Sequence, residues 1–369
     1  MDRVVARAEV LGEQLLLPVD RARAALNRFV LTSALGRGLI RKETRIGAQA
    51  VAGIGVAFLL TALAPLLLFA VAPVVLGVPH LAADLRYLVL QPRYRPLVRV
   101  LLVAGCVPFV LLRGLPCIGV PIARAAPMEM AFATLCLGAA AIASALGAGR
   151  ARRLLFVLPA VLALGLVASR HADGARIVFA HAHNVVAIVV WGLLFRARRG
   201  ARRALVLPVA CTAVATLALV GLGLARGPAL AATSAFGVQL GTIGGWLAPG
   251  LPQRAAVALV LSYVFLQSVH YSIWLGLIPA ETVRGEAARS FRMSLRALLR
   301  DFGALGLLAV AIVSAATIAL GTRDLTRTRD AYLTLSAFHG YLELAVLVIA
   351  LSGRRDLWSR ACRSSAPGS

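Results

Sequence analysis

From Gly47 to Leu90 the chain is apolar almost without a break. This is about twice the roughly 20 residues that cross a bilayer as a helix, so a tight turn near Pro65 to Pro73 is expected to divide it into two antiparallel spans. Further apolar runs recur at about 98 to 112, 127 to 148, 154 to 169, 176 to 195, 204 to 224, 255 to 279, 303 to 320 and 332 to 351. The expected fold class is all-α: a polytopic transmembrane helical bundle of ten spans joined by short loops. The segment 229–250 breaks the rhythm. Counted as a span it gives eleven and places the Arg-dense stretch after residue 283 on the wrong side. Counted as re-entrant or buried, it restores the alternation, and Gly237, Gly241, Gly244 and Gly245 suit close packing inside protein.

Polar patterning frames the bundle. Residues 1–46 alternate Arg with Leu, Val and Ala and lack the uncharged core of a cleavable signal, so they read as a basic, partly helical cytoplasmic leader. The transmembrane domain follows over 47–352. Within it, 284–302 reads as an amphipathic interfacial helix: Arg289, Arg292, Arg296 and Arg300 share one face, and Phe291, Leu295, Leu298 and Phe302 the other. An ordinary linker helix fits the same pattern. Residues 353–369 form a basic cytoplasmic tail.

Composition sharpens this picture in one respect. The 369 residues carry a formal charge of +24 with a mean hydropathy of +0.85. The basic residues cluster between apolar runs, at Arg93, Arg95 and Arg99, at Arg150, Arg152 and Arg153, and from Arg196 to Arg203. That distribution is topological, following the excess of positive charge in cytoplasmic loops. It argues against a nucleic-acid partner and places both termini in the cytoplasm of a bacterial-type inner membrane. The five cysteines are too scattered for a disulfide framework or a zinc knuckle.

Candidate chemistry comes from polar groups inside the spans, where an ionisable side chain is costly and functional by default. Five of the six histidines lie there: His80, His181, His183, His270 and His339. His171, in the loop from Ser169 to Arg176, should be solvated. His80 and Asp84 are one turn apart, and Tyr87 continues their stripe. Tyr263, Gln267, His270 and Trp274 line one helix face; Tyr332, Ser336, His339 and Glu343 repeat the same offsets in the last span. Tyr263 and Tyr332 are expected among interfacial belt aromatics. His181 and His183 project about 200° apart on a regular helix, so one helix aims only one of them at a shared centre. At matching depth, these imidazoles point to a metal site, with Asp84 and Glu343 as ligands or as partners that orient the imidazoles. Imidazole plus carboxylate with open positions suits Fe(II), with zinc and copper as alternatives. Tyr87, Gln267, Tyr271 and Trp274 are the candidate substrate-pocket residues.

The stretch Gly77-Val78-Pro79-His80-Leu81-Ala82-Ala83-Asp84 resembles the Gly-Ile-Pro-His-Gly-x-x-Asp signature of the Brp/Blh family, membrane β-carotene 15,15'-dioxygenases that use histidine-bound iron. Gln267 to Trp274 is loosely similar to a later histidine segment of that family. Leu81 and Leu85 depart from its pattern. The resemblance implies metal-ligand status for His80, and for His270 with His181 or His183. It also implies a dioxygenase acting on a lipophilic, carotenoid-like substrate that enters from membrane lipid. The competing expectation is a transporter or channel whose His, Asp and Glu residues form a proton or ion path.

Overall fold

The computed structural model of the chain describes residues 2–33, 36, 38–195, 203–283 and 289–353. It begins with a long helix, α1 (Asp2–Thr32), and the first apolar run then divides at Ala64. Helix α2 (Lys42–Leu63) ends there and α3 (Pro65–Asp84) begins. Pro65 stands at the helix start, where a missing N–H costs nothing. Pro73 and Pro79 lie inside α3, so the division falls at the first edge of the expected turn region.

The remaining helices follow the apolar runs. They are α4 (Pro96–Gly114), α5 (Ile122–Gly147), α6 (Leu154–Arg170), α7 (Ala172–Val190) and α8 (Arg203–Ala231). Beyond Ala231 the chain makes a two-residue hairpin, β1 (Ser234–Ala235) against β2 (Val238–Gln239), with Ser234 opposite Gln239. Phe236 and Gly237 form its turn with φ of 56° and 74°, the doubly positive pair that a tight hairpin needs. Helix α9 (Leu240–Leu247) has eight residues, far short of a bilayer crossing. Next come α10 (Gln253–Ser272), α11 (Phe291–Arg323), α12 (Leu325–Ser336) and α13 (Phe338–Ser352).

Among the described residues, ten helical runs are long and apolar enough to cross a membrane. The chain is an all-α helical bundle and a multi-pass membrane protein. Three of its spans pass into wider π-helical turns: α3 continues through Leu85–Leu90, α7 through Trp191–Phe195, and α10 through Ile273–Leu277. Helix α11 is interrupted at Gly303 (φ 71°, ψ 170°), so an arginine-bearing piece and an apolar piece meet at a residue whose backbone conformation glycine alone adopts readily. The basic stretch from Arg196 to Arg202, residues 284–288 of the expected amphipathic helix, and residues 354–369 of the expected tail lie outside the described residues.

Helix α10 sits at the centre, buried over most of its length. It is reached closely by α8 because Gly223 and Gly227 carry no side chain. A Cβ at Gly223 would lie 2.4 Å from Ala258 Cα, and one at Gly227 would lie 2.7 Å from Arg254 Cα. Small residues four apart allow helices to approach at van der Waals distance in lipid, where there is no hydrophobic drive to bring them together. Lys42 ties α2 to the far end of the α10 run, its Nζ donating to the carbonyls of Glu281 (2.8 Å) and Val283 (2.7 Å). These are carbonyls that a helix terminus leaves without partners.

Two aromatic expectations are corrected here. Tyr263 and Tyr332 are buried inside the bundle, not placed in a lipid-facing belt. Tyr263 packs edge-to-face on Phe69 and His181. Tyr332 lies on Gly77, where a Cβ would fall 2.2 Å from the ring. Both are recruited by helix packing, which sequence periodicity does not report.

Candidate metal centre

Four helices bring histidines to one buried point. His80 comes from α3, His183 from α7, His270 from α10 and His339 from the first turn of α13. Ring centroids are 4.7 Å apart for His80 and His270, 5.1 Å for His80 and His339, 5.2 Å for His183 and His270, and 5.4 Å for His183 and His339. His80 and His270 are sealed from solvent, as are Asp84 and Glu343. Ligand atoms of His80, His270 and His339 all lie within 4.8 Å of one another, and so do those of His80, Asp84 and Glu343.

The ring nitrogens show how the imidazoles are held. His183 Nδ1 lies 3.0 Å from the Ala180 carbonyl, and His339 Nδ1 is hydrogen-bonded to the Ser336 carbonyl. A carbonyl only accepts, so both rings carry their proton on Nδ1 and keep the Nε2 lone pair free. Metal-binding histidines are oriented in this way. The Ser336 carbonyl is free to accept because α12 ends there and the chain turns at Ala337 before α13 begins. His80 Nε2 and His270 Nε2 face each other at 3.0 Å. That is the length of a hydrogen bond, and also the spacing of neighbouring ligand atoms bound at about 2.1 Å and at right angles on one ion.

The carboxylates complete the cluster. Asp84 Oδ2 lies 3.4 Å from His80 Nε2, and Glu343 Oε1 lies 3.5 Å from His270 Nε2. Trp274 Nε1 donates to Glu343 Oε1 at 2.8 Å. Both oxygens of Asp84, and Oε2 of Glu343, are buried without a hydrogen-bond donor among the described residues. Two neighbouring buried carboxylates so poorly supplied with donors are costly unless a cation or protons neutralise them. His80, His270 and His339, and His80 with Asp84 and Glu343, are close enough to share an ion, while His183 packs its ring against His270 and His339; imidazoles with carboxylates fit a divalent transition metal.

The other candidates fall into two groups. Tyr271 packs edge-to-face on His80 at 5.2 Å, and Trp274 lies 6.1 Å from the same ring. Gln267 is one step removed, its Nε2 reaching the Tyr271 hydroxyl at 3.4 Å. Tyr87 stands apart from the histidines, packed on Phe195 and accepting a hydrogen bond from Arg86. His181 also points elsewhere: its Nε2 is 3.0 Å from the Leu247 carbonyl, which ties α7 to the end of α9. The helical projection that separates His181 from His183 therefore turns His183 inward. His171 is exposed.

Three features escaped the sequence reading. The π-helical turns each follow a histidine within the same span, and Trp274 belongs to one of them; such turns often occur at functional sites. The indole bond to Glu343 spans two helices and has no local signature. The third feature is a buried brace at Glu129, which pairs with Arg113 (2.7 Å) and Arg176 (3.0 Å) and accepts from the Tyr341 hydroxyl (2.6 Å). It ties α4, α5 and α7 to the turn of α13 between His339 and Glu343. Its one signal was a lone acid, Glu129, within an apolar run.

The fold and site together define a multi-pass membrane protein with a buried histidine and carboxylate cluster drawn from four helices. Comparison of the chain with protein-family models, curated proteins and solved structures found no match.

Proposed function

We propose that the protein is a non-haem metal oxygenase of the bacterial inner membrane, with Fe(II) as its metal and a lipophilic, carotenoid-like molecule as its substrate. One observation carries the reading: Asp84 and Glu343 are buried beside four imidazoles with three of their four oxygens lacking donors, and a divalent cation would neutralise both. His80, His183, His270 and His339 would hold the ion through Nε2. Asp84 and Glu343 would supply anionic oxygens, with Trp274 fixing Glu343. The bound metal would supply activation of O₂ for oxidation of the substrate. The likeness of residues 77–84 to the Brp/Blh signature supports the same chemistry.

The chain's own residues then have defined tasks. The carbonyls of Ala180 and Ser336 keep His183 and His339 in the tautomer that presents Nε2. The close-packed walls at Tyr271 and Trp274 keep bulk water from the centre, which protects reactive intermediates. In this reading both termini are cytoplasmic, which the clustering of arginines between the apolar runs supports, and the surrounding lipid supplies the substrate.

Metal analysis of the detergent-purified protein tests this directly. The expected result is stoichiometric iron that is lost in His80→Ala and His270→Ala, with O₂-dependent bleaching of a carotenoid, offered as hydrocarbon and as apocarotenoid acid, by the wild type. Metal-free protein that moves protons or a solute across liposomes would replace this reading with the transporter class.

A further inference from the structure

Next to the histidine cluster lies a second feature with its own chemistry, a cavity of about 540 Å³ between α2, α3, the turns after α10 and the first half of α11. Its volume falls within the roughly 300–1,000 Å³ of small-molecule sites. Part of the lining is apolar and adjoins the cluster: Pro79 and Ala83 are next in sequence to His80 and Asp84, and Trp274 is the residue bonded to Glu343. The outer wall is apolar as well, built by residues such as Leu298 and Phe302.

Polar groups collect on the same lining with a single sign. Among the described residues, Arg45, Arg86 and Arg289 line the cavity and no Asp or Glu does. Arg86 is 6% exposed. Its Nε is paired with Asp301 (2.8 Å) and its Nη1 with the Tyr87 hydroxyl (3.1 Å). Its Nη2 is buried with no hydrogen-bond partner among the described residues. A buried guanidinium N–H left without an acceptor is costly, and the chemistry that satisfies it is an anionic oxygen, which guanidinium binds best. Burial also lowers the proton affinity of Arg289, against the opposing pull of Tyr87, as expected of a partly desolvated cation that an anion would stabilise.

We infer that this cavity binds a long-chain amphiphile with an anionic head, a carboxylate or a phosphate monoester, whose head meets Arg86 and Arg289 and whose chain runs along the apolar wall toward Trp274. This rests on the oxygenase reading only for the fate of the molecule, because the chain end would lie beside the metal centre. It narrows the substrate from any lipophile to an acidic one.

The test is equilibrium binding of cis-parinaric acid and of its methyl ester to the full-length protein in detergent, read by quenching of tryptophan fluorescence, with metal content measured on the same samples. The acid should bind at least about tenfold more tightly than the ester, the worth of a charge-assisted hydrogen bond. Arg86→Met and Arg289→Gln should each erase most of that difference and leave ester binding unchanged. Ala83→Trp, which fills the cavity without touching a charge, should weaken both probes. Displacement by oleate or by lysophosphatidate supports the inference and identifies the head group as a free acid or a phospholipid type. Equal binding of acid and ester, or an acid preference that survives both arginine substitutions, overturns it. Acid-selective binding by metal-free protein would retain the cavity and remove the oxygenase; metal-loaded protein without selectivity would do the reverse.

Discussion

The indole Nε1 of Trp274 donates to Oε1 of Glu343 at 2.8 Å, joining the π-helical end of α10 to α13 beneath the histidine cluster. The bond holds Oε1, the oxygen 3.5 Å from His270 Nε2, and Oε2 is buried without a hydrogen-bond partner among the described residues. Trp274→Phe keeps the aromatic bulk and removes the N–H. Metal affinity should fall about 10- to 100-fold, the usual effect of losing a group that orients a ligand. Competition against a chelator measures it, and an unchanged affinity would exclude Glu343 as a ligand.

The two members of the histidine pair should separate. His183→Ala should strip metal from the purified protein as His80→Ala does, because His183 packs on His270 and His339. His181→Ala should keep the full metal content and instead speed amide hydrogen exchange in α9, whose terminal Leu247 carbonyl loses its partner.

Glu129→Gln should be the most damaging substitution outside the centre. The change leaves two arginines, Arg113 and Arg176, facing a neutral amide in a site that is fully buried at Glu129. Breaking a buried ion pair from one side costs about 3–5 kcal/mol. The midpoint of thermal aggregation in detergent should drop by many degrees; a variant within a degree or two of wild type would show the brace to be dispensable.

Gly77 is required by packing. A methyl group there would meet the Tyr332 ring at 2.2 Å, so Gly77→Ala should destabilise by about 1–3 kcal/mol as an overpacked core does. The double variant Gly77→Ala with Tyr332→Leu should recover much of that loss, a pairwise coupling that a thermal-stability cycle reads directly.

Acid should release α1. Burial would raise the Asp20 carboxyl, yet hydrogen bonds from the Phe291 and Arg292 backbone N–H groups, the Arg292 side chain and the charge of Arg23 outweigh it. They hold the group below its ordinary value of 3.8. A carboxyl depressed in the folded state stabilises fully above that ordinary value and loses its contribution as pH falls through the lowered one. Hydrogen exchange across α1 should therefore stay slow at neutral pH and quicken only in strong acid. Asp20→Asn should make α1 exchange fast throughout, since the amide keeps an acceptor but lacks the charge.

Much of the bundle was legible because a membrane span announces itself: about 20 apolar residues in sequence are a local property. The runs around His80 and His270 were read with boundaries close to those observed, the last span begins earlier than expected, at Leu325, and the break at Pro65 followed from proline chemistry. What failed was non-local or backbone-specific. Tyr263 and Tyr332 look like belt residues until neighbouring helices enclose them. The hairpin at Phe236 and Gly237 and the kink at Gly303 depend on positive φ, which a glycine permits but does not demand.

The sequence by itself determined that apolar helices cross a membrane and that each of several carries a histidine on a face with a second polar group, because periodicity fixes what shares a helix face. Only the tertiary structure decided that His80, His183, His270 and His339 meet, that His181 turns away, and that Trp274 holds Glu343. Those facts depend on the rotation and depth of each helix against the others. Close-packed contacts such as Gly223 on Ala258 and Gly77 on Tyr332 set these, across separations along the chain that no local pattern records.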